Sequence, residues 1–143
     1  MSQSRRTGPV LALMAASGLG LTACGTTRAY EGPELARDQV AVIQPAGAFD
    51  SAARILWVDD TVLGAFDLSV EVVPGRHVVT LGIDVSMGGA APVTLQGNVE
   101  LDARAGTVYE AHARTTGFVP VQPWFWIVDT STHTIVAGKP PPD

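Results

Sequence analysis

The stretch VTLQGNVEL, residues 93–101, alternates apolar and polar side chains and decides the fold. Successive side chains of a β-strand point to opposite faces of the sheet, so this alternation predicts a strand with one buried face. A sheet is therefore the expected framework of the chain. The apolar face of this strand carries Val93, Leu95, Val99 and Leu101.

The same period of two recurs on both sides of this stretch. Turn residues at Pro74-Gly75 and Ala105-Gly106, and a longer loop over 87–92, separate the segments. Short strands without intervening helices predict an all-β fold over residues 39–138: a small antiparallel β-sandwich, with an open barrel as the alternative. The predicted strands are 39–44, 54–59, 68–72, 77–83, 93–101, 107–114, 124–129 and 134–138.

Composition and charge exclude several classes of protein. The chain has 143 residues, of which 46% are hydrophobic and 16% charged, a balance that excludes an intrinsically disordered chain. The net charge of −5 argues against nucleic acid as a partner, because binding to phosphates requires clustered lysine and arginine. The single cysteine excludes an intrachain disulfide and a four-cysteine zinc site.

Residues 1–23 have the features of a secretory signal peptide. Arg5-Arg6 supplies a positive start, and the apolar run that begins at Val10 is too short to span a bilayer. Small residues follow, up to a processing site between Ala23 and Cys24. Removal of this segment, with its two arginines, leaves seven basic against 14 acidic residues, a net charge of −7.

The sequence Leu21-Thr22-Ala23-Cys24 resembles the lipobox of bacterial lipoproteins. The resemblance implies cleavage before Cys24, a diacylglycerol on its thiol and usually an acyl chain on its amine, which together anchor a chain stably. Gly25 follows the cysteine, where an aspartate would mark inner-membrane retention. The resemblance therefore implies a lipid-anchored envelope protein on the outer membrane, facing the periplasm. The alternative, a buried thiol in an N-terminal helix, fits poorly with the surrounding glycines.

Two segments flank the predicted β-domain. Residues 24–38 show no sustained period and predict a tether between the lipid and the domain, with Tyr30 packing back on the domain. Short helical turns are open possibilities at 33–38 and 45–53. Residues 139–143, KPPPD, predict a disordered, proline-rich tail.

The stretch from Ile55 to Leu81 contains Val58-Asp59, Gly64 and then the turn Val73-Pro74-Gly75-Arg76-His77. In these residues it resembles a PEGA-type module of bacterial surface proteins. The resemblance implies a small β-sandwich of the transthyretin or prealbumin kind, non-catalytic and often an accessory domain. The aromatic Gly-Tyr that usually follows the second strand is missing. More broadly, in Tyr30 to Leu35 and in Trp126 to Asp129, the mature chain resembles small, uncharacterised proteobacterial lipoproteins.

The candidate catalytic and metal-binding residues form no recognisable motif. His77, His112 and His133 lack the spacing of zinc ligands, although strand pairing could bring His77 and His112 together. Asp59-Asp60 fits a turn better than a calcium site, because no DxDxDG pattern is present. We therefore expect no metal, no cofactor and no enzymatic activity. A small hydrolase that uses His77 or His112 with a carboxylate is the weaker alternative.

Trp124-Phe125-Trp126 is the candidate binding motif. On a strand, Trp124 and Trp126 share one face and Phe125 takes the other. The pattern favours packing, with one face of this strand in the core and the other covered by a neighbouring loop. The alternative is an exposed pair of indoles that could stack on sugars, insert among headgroups or anchor a protein partner. The sequence predicts a non-catalytic binding, assembly or structural accessory module with envelope proteins as partners. The second hypothesis is a binder of peptidoglycan or another envelope polymer through these tryptophans.

Overall fold

The computed structural model describes residues 25–47, 53–64 and 67–143. Over these residues the chain forms ten β-strands and no helix, which confirms the predicted all-β class. Ala23 and Cys24, the predicted cleavage and lipid-attachment residues, lie outside the described residues. The strands are β1 (Thr26–Arg28), β2 (Ala41–Pro45), β3 (Arg54–Val58), β4 (Thr61–Val62), β5 (Ser69–Val72), β6 (Gly75–Val85), β7 (Val93–Ala103), β8 (Val108–Thr116), β9 (Gln122–Asp129) and β10 (Thr134–Gly138).

The strands form two sheets that pack face to face as a small β-sandwich. The six-stranded sheet has the order β1-β5-β2-β8-β9-β10, and the four-stranded sheet has the order β4-β3-β6-β7. Most neighbours are antiparallel, as predicted, but β1 pairs with β5 and β2 pairs with β8 in parallel. Both parallel pairs join strands that are distant in the sequence, so no local turn dictates their direction.

The longest hairpin, β6–β7, contains the stretch 93–101. Its two strands pair in register over their full length. Val99 and Leu101 lie in the core beside Val79 and Leu81, whereas Val93 is 54% exposed because the hairpin extends beyond the buried centre of the sandwich. The facing sheet contributes Ile43, Val70, Val72, Tyr109, Ala111 and Ile127 to the same core.

Gly97 shapes the contact between the two sheets. It lies on the core-facing side of β7, between Leu95 and Val99, where a Cβ would lie 2.7 Å from Cδ2 of Phe125. Phe125 of β9 therefore occupies the space that a side chain at position 97 would fill. With Phe125 directed inward, the neighbouring tryptophans of β9 are directed outward.

The expected tether 24–38 contributes to the six-stranded sheet. Residues 26–28 form β1 and pair with β5. The Tyr30 side chain lies against the fold: its hydroxyl oxygen accepts from Leu35 N at 3.3 Å and donates to Glu71 Oε2 at 3.4 Å. The described part of this segment is thus fixed by backbone and side-chain hydrogen bonds.

Short helical turns were possible at 33–38 and 45–53, but neither segment forms a helix among the described residues. In 33–38, one turn closes when Gln39 N donates to Ala36 O at 2.9 Å, and the chain then enters β2. Residues 48–52 of the second segment lie outside the described residues.

The proline-rich tail 139–143 starts directly after β10. Lys139 N donates to the Phe125 carbonyl oxygen at 2.9 Å. Pro140 and Pro141 are half-buried, and the last two residues are exposed. The first part of the tail therefore lies along the sheet.

Candidate functional site

The tryptophan motif lies on β9, on the outer face of the six-stranded sheet. Phe125 packs against the core, so Trp124 and Trp126 point away from it. Strand β8 pairs with β9 so that Arg114 lies opposite Trp124 and His112 lies opposite Trp126. We call Trp124, Trp126, His112 and Arg114 the aromatic face.

Two contacts hold the aromatic face in place. The His112 and Trp126 rings are stacked, with centroids 5.2 Å apart and an interplanar angle of 12°. The Trp124 indole Nε1 donates to Thr116 Oγ1 at 2.9 Å. Both tryptophans are half-buried, and neither belongs to the core cluster. The Trp124 and Trp126 rings are therefore fixed by their own neighbours.

Burial and a neighbouring carboxylate act in opposite directions on the pKa of His112. Burial lowers the pKa of His112, and the nearby Glu110 carboxylate opposes that shift only in part. Glu110 Oε2 lies 3.7 Å from His112 Nε2. His112 is therefore neutral near pH 7, which suits stacking and neutral hydrogen bonding. Glu110 and the exposed Arg114 add one charge of each sign to the rim.

His77 forms the second histidine–carboxylate pair, and it is buried, with 6% of the residue exposed. Its Nδ1 lies 2.7 Å from Asp59 Oδ2, and its Nε2 lies 2.7 Å from the Val73 carbonyl oxygen. Both ring nitrogens therefore face acceptor oxygens inside the fold. Asp59 Oδ1 also accepts from Val78 N at 2.8 Å. We call this set of contacts the His77 clamp.

The His77 clamp also sets the charge of Asp59. Burial raises the pKa of this carboxyl, but the hydrogen bonds from the His77 ring and from Val78 N, together with the charge on His77, lower it by more. Asp59 is thus ionised well into the acid range and joins the β3–β4 turn to β6. His77 lies in the four-stranded sheet and His112 in the other, so strand pairing does not bring the two histidines together.

The remaining candidate residues lie in turns. His133 has a φ of 55° in the β9–β10 turn, and its backbone N donates to Asp129 O at 2.8 Å. Asp60 is exposed at the β3–β4 turn. Within the described ranges, no group of three His, Cys, Asp or Glu side chains is placed to hold a metal ion.

Sequence reasoning did not connect His112 to the tryptophans. The signal that identifies it is the spacing around the loop 117–121. Thr116 pairs with Gln122 across that loop. His112 lies four residues before Thr116 on β8 and Trp126 lies four residues after Gln122 on β9, so the two residues are opposite each other. The loop contains Gly117, whose φ of 76° is a conformation that favours glycine.

No family model matches the chain, and neither a curated protein nor a solved structure shows significant similarity to it. In the part of the chain that the structure describes, no helix is long and apolar enough to cross a bilayer. The aromatic face is therefore the principal structural guide to function.

Proposed function

We propose that this chain is a lipid-anchored cell-envelope protein whose β-sandwich is a non-catalytic binding or assembly module. The observation that carries the proposal is the aromatic face, with its two outward-facing tryptophans and the stacked His112. Tryptophan and arginine are the residues that most often dominate protein interfaces. A fixed aromatic surface also loses little side-chain entropy when a partner binds.

The anchor in this proposal rests on the lipobox sequence that ends at Cys24. Full-length protein should carry a diacylglycerol on Cys24, detected by mass spectrometry, and should fractionate with outer membranes. The Cys24→Ala variant should stay uncleaved and without lipid. Normal processing and outer-membrane fractionation of this variant would show that the anchor is wrongly assigned.

The geometry of the histidines favours binding over catalysis. In the His77 clamp, both ring nitrogens already face acceptors inside the fold, so the ring is committed to structure. His112 is stacked on Trp126, on the outer face of the six-stranded sheet. We propose that both histidines support structure or binding.

Site-specific photocrosslinking tests whether a partner contacts the aromatic face. A photoreactive amino acid replaces the exposed Arg114, and a second variant carries it at Trp57, which lies on the other sheet and is 36% exposed. Crosslinking in intact envelopes should give a discrete adduct from position 114 that is lost with Trp126→Ala. Equal adducts from both positions, or none from either, would count against a binding role for this face.

Peptidoglycan or another envelope glycan is the second candidate ligand. The favouring observation is that half-buried indoles lie beside Glu110 and Arg114, since sugar rings stack on indoles and their hydroxyls bond to charged groups at the rim. Retention on insoluble peptidoglycan should fall in Trp124→Ala and Trp126→Ala but not in Trp57→Ala. Unchanged retention in all three variants excludes this ligand at the aromatic face.

A further inference from the structure

Two loops at one end of the sandwich expose large apolar side chains. They are the β6–β7 loop, residues 86–92, and the β8–β9 loop, residues 117–121. Phe118 is 91% exposed, Val119 is 82% exposed and Met87 is 55% exposed. Neither loop contains a charged residue. We call these two loops the uncharged end.

The uncharged end contrasts with the opposite end of the same strands. No charged residue occurs in 85–99 or in 115–128, the parts of the two hairpins that include the loops. The loops enclose a cavity of about 390 Å³, lined by side chains that include Met87, Phe118 and Val121. The turns at the opposite end lie among Asp59, Asp60, Arg76, Asp102, Arg104 and Asp129.

The beginning of the described chain faces toward the uncharged end. The Gly25 carbonyl oxygen accepts from Leu68 N at 2.7 Å and from Ser69 N at 2.9 Å, so its position is fixed against β5. Strand β1 is parallel to β5, β5 is antiparallel to β2, and β2 is parallel to β8, so β1 is antiparallel to β8. Gly25, which precedes β1, therefore lies on the side of the sheet toward which β8 runs. The register is Thr27 opposite Val70, Val70 opposite Ile43 and Ile43 opposite Tyr109.

This register gives approximate distances between Gly25 and the uncharged end. Gly25 is level with Ala111 of β8. Ala111 lies five residues before Thr116, so Gly25 and Thr116 are about 17 Å apart along the strand direction. Strand β1 is three strand spacings from β8, which is about 14 Å across the sheet. A plane oblique to the strands therefore touches both Gly25 and the loop tips. Leu68, which is 66% exposed, lies beside Gly25 on the same side.

We propose that the uncharged end rests in the interfacial region of the bilayer, so that Phe118, Val119 and Met87 contact lipid. The inference rests on the proposed lipid at Cys24, the residue that directly precedes Gly25. A bilayer fits better than a protein partner, because the loops offer apolar side chains and no charged group to orient a protein. Burial of a phenylalanine and a valine also adds apolar contact to the acyl anchor. The domain would then have a fixed, oblique orientation on the membrane.

Site-directed spin labelling tests this orientation in the full-length, lipidated protein. Because Cys24 is the only cysteine and would be acylated, a cysteine introduced by Phe118→Cys is the one free thiol. The matched control is Ala105→Cys, exposed in the β7–β8 turn at the opposite end. Both labelled proteins are reconstituted in vesicles of phosphatidylethanolamine and phosphatidylglycerol, and mass spectrometry first establishes whether Cys24 carries lipid.

The expected result is that the label at 118 collides with lipid-soluble oxygen and is shielded from a water-soluble nickel complex, whereas the label at 105 shows the reverse. Adding Val119→Asp should reduce the shielding at 118, since a charge at the interface is costly. Equal exposure of both labels to nickel, with lipid on Cys24, overturns the inference and leaves the anchor intact. Absence of lipid on Cys24 overturns the anchor. In that case the label at 118 is measured in a Cys24→Ser variant on the same vesicles, to test whether the loops contact lipid without the anchor. Shielding of the label from nickel supports the inference, and exposure to nickel overturns it.

Discussion

Replacing Asp59 with asparagine removes the negative charge of the His77 clamp and replaces one of its two acceptor oxygens with an amide NH2 group. Asp59 has a φ of 49°, and asparagine tolerates this left-handed conformation as well as aspartate does. The asparagine Oδ1 can still accept from Val78 N, which lies 2.8 Å from Asp59 Oδ1. The substitution therefore replaces the charge-assisted bond between the carboxylate and the His77 ring with a neutral contact in which the amide Nδ2 can only donate, without removing the turn.

The size of the effect follows from the contacts of Asp59. A hydrogen bond to a charged group contributes about 1.5–3 kcal/mol and a neutral one about 0.5–1.5 kcal/mol. The Asp59 side chain is 46% exposed, so solvent screens the charge and the difference lies at the low end, about 1 kcal/mol. For a domain of this size, Asp59→Asn should lower Tm by about 3–5 °C near neutral pH.

The effect of Asp59→Asn should depend on pH with a definite sign. The pKa of Asp59 lies below its ordinary value of 3.8 in the folded protein. The unfolded chain therefore binds the proton first as pH falls, and the carboxylate stabilises the fold fully above that ordinary value. This contribution is lost as pH falls through the lowered pKa of the folded state. Thermal unfolding followed by circular dichroism should thus show a wild-type advantage near neutral pH that shrinks in strong acid.

The neighbouring Asp60 provides a matched control in the same turn. Asp60 is exposed, so Asp60→Asn should leave the Tm nearly unchanged at either pH. Equal stability of wild type and Asp59→Asn near neutral pH would refute the reasoning about the clamp. An Asp60→Asn effect as large as that of Asp59→Asn would show that net charge, rather than the bond to His77, is responsible.

Three further substitutions test packing, a turn and a surface ion pair. Gly97→Ala should destabilise the fold by about 1–3 kcal/mol in urea unfolding, because the new Cβ meets Phe125; a gain in stability would contradict this packing. Asp129→Ala should lower the free energy of unfolding by about 1–2 kcal/mol, because the Asp129 carboxylate accepts from Ser131 N at 2.8 Å and from Ser131 Oγ at 2.6 Å. Asp129→Asn should recover part of this stability. Asp84→Asn should cost no more than about 0.5 kcal/mol, since the Arg54 and Asp84 side chains are 51% and 43% exposed; a larger, salt-sensitive loss would show that this pair is worth more than its exposure indicates.

The sequence predicts strands well where one face is buried. The alternation in β6 and β7 persists over most of both strands, so their existence follows from side chains alone. Strands β1 and β4 have three and two residues, which is too short to show a period. The parallel pairing of β2 with β8 joins residues more than 60 positions apart and depends on how the two sheets close over the core.

The candidate site is predictable only in part, for a similar reason. Alternation alone places Trp124 and Trp126 on one side of β9, opposite Phe125. The stacking of His112 on Trp126 requires the register of β8 against β9, which the loop 117–121 sets. The bond between Asp59 and His77 joins residues 18 positions apart and depends on the pairing of β3 with β6.

The proposed membrane contact and the aromatic face can be separated experimentally because of where they lie on the fold. The uncharged end is formed by loops at the ends of strands, whereas Trp126 and His112 project from the outer face of a sheet. When the ends of the strands rest on the bilayer, the outer face of the sheet points sideways, along the membrane surface, and not into the membrane. A second envelope protein or a glycan strand can then reach this face. Trp126→Ala should therefore abolish crosslinking from position 114 and leave the depth of a label at position 118 unchanged. Val119→Asp should reduce the depth of the label at position 118 and leave crosslinking from position 114 unchanged. If either variant lost both the crosslinking and the depth of the label, the two surfaces would not be independent.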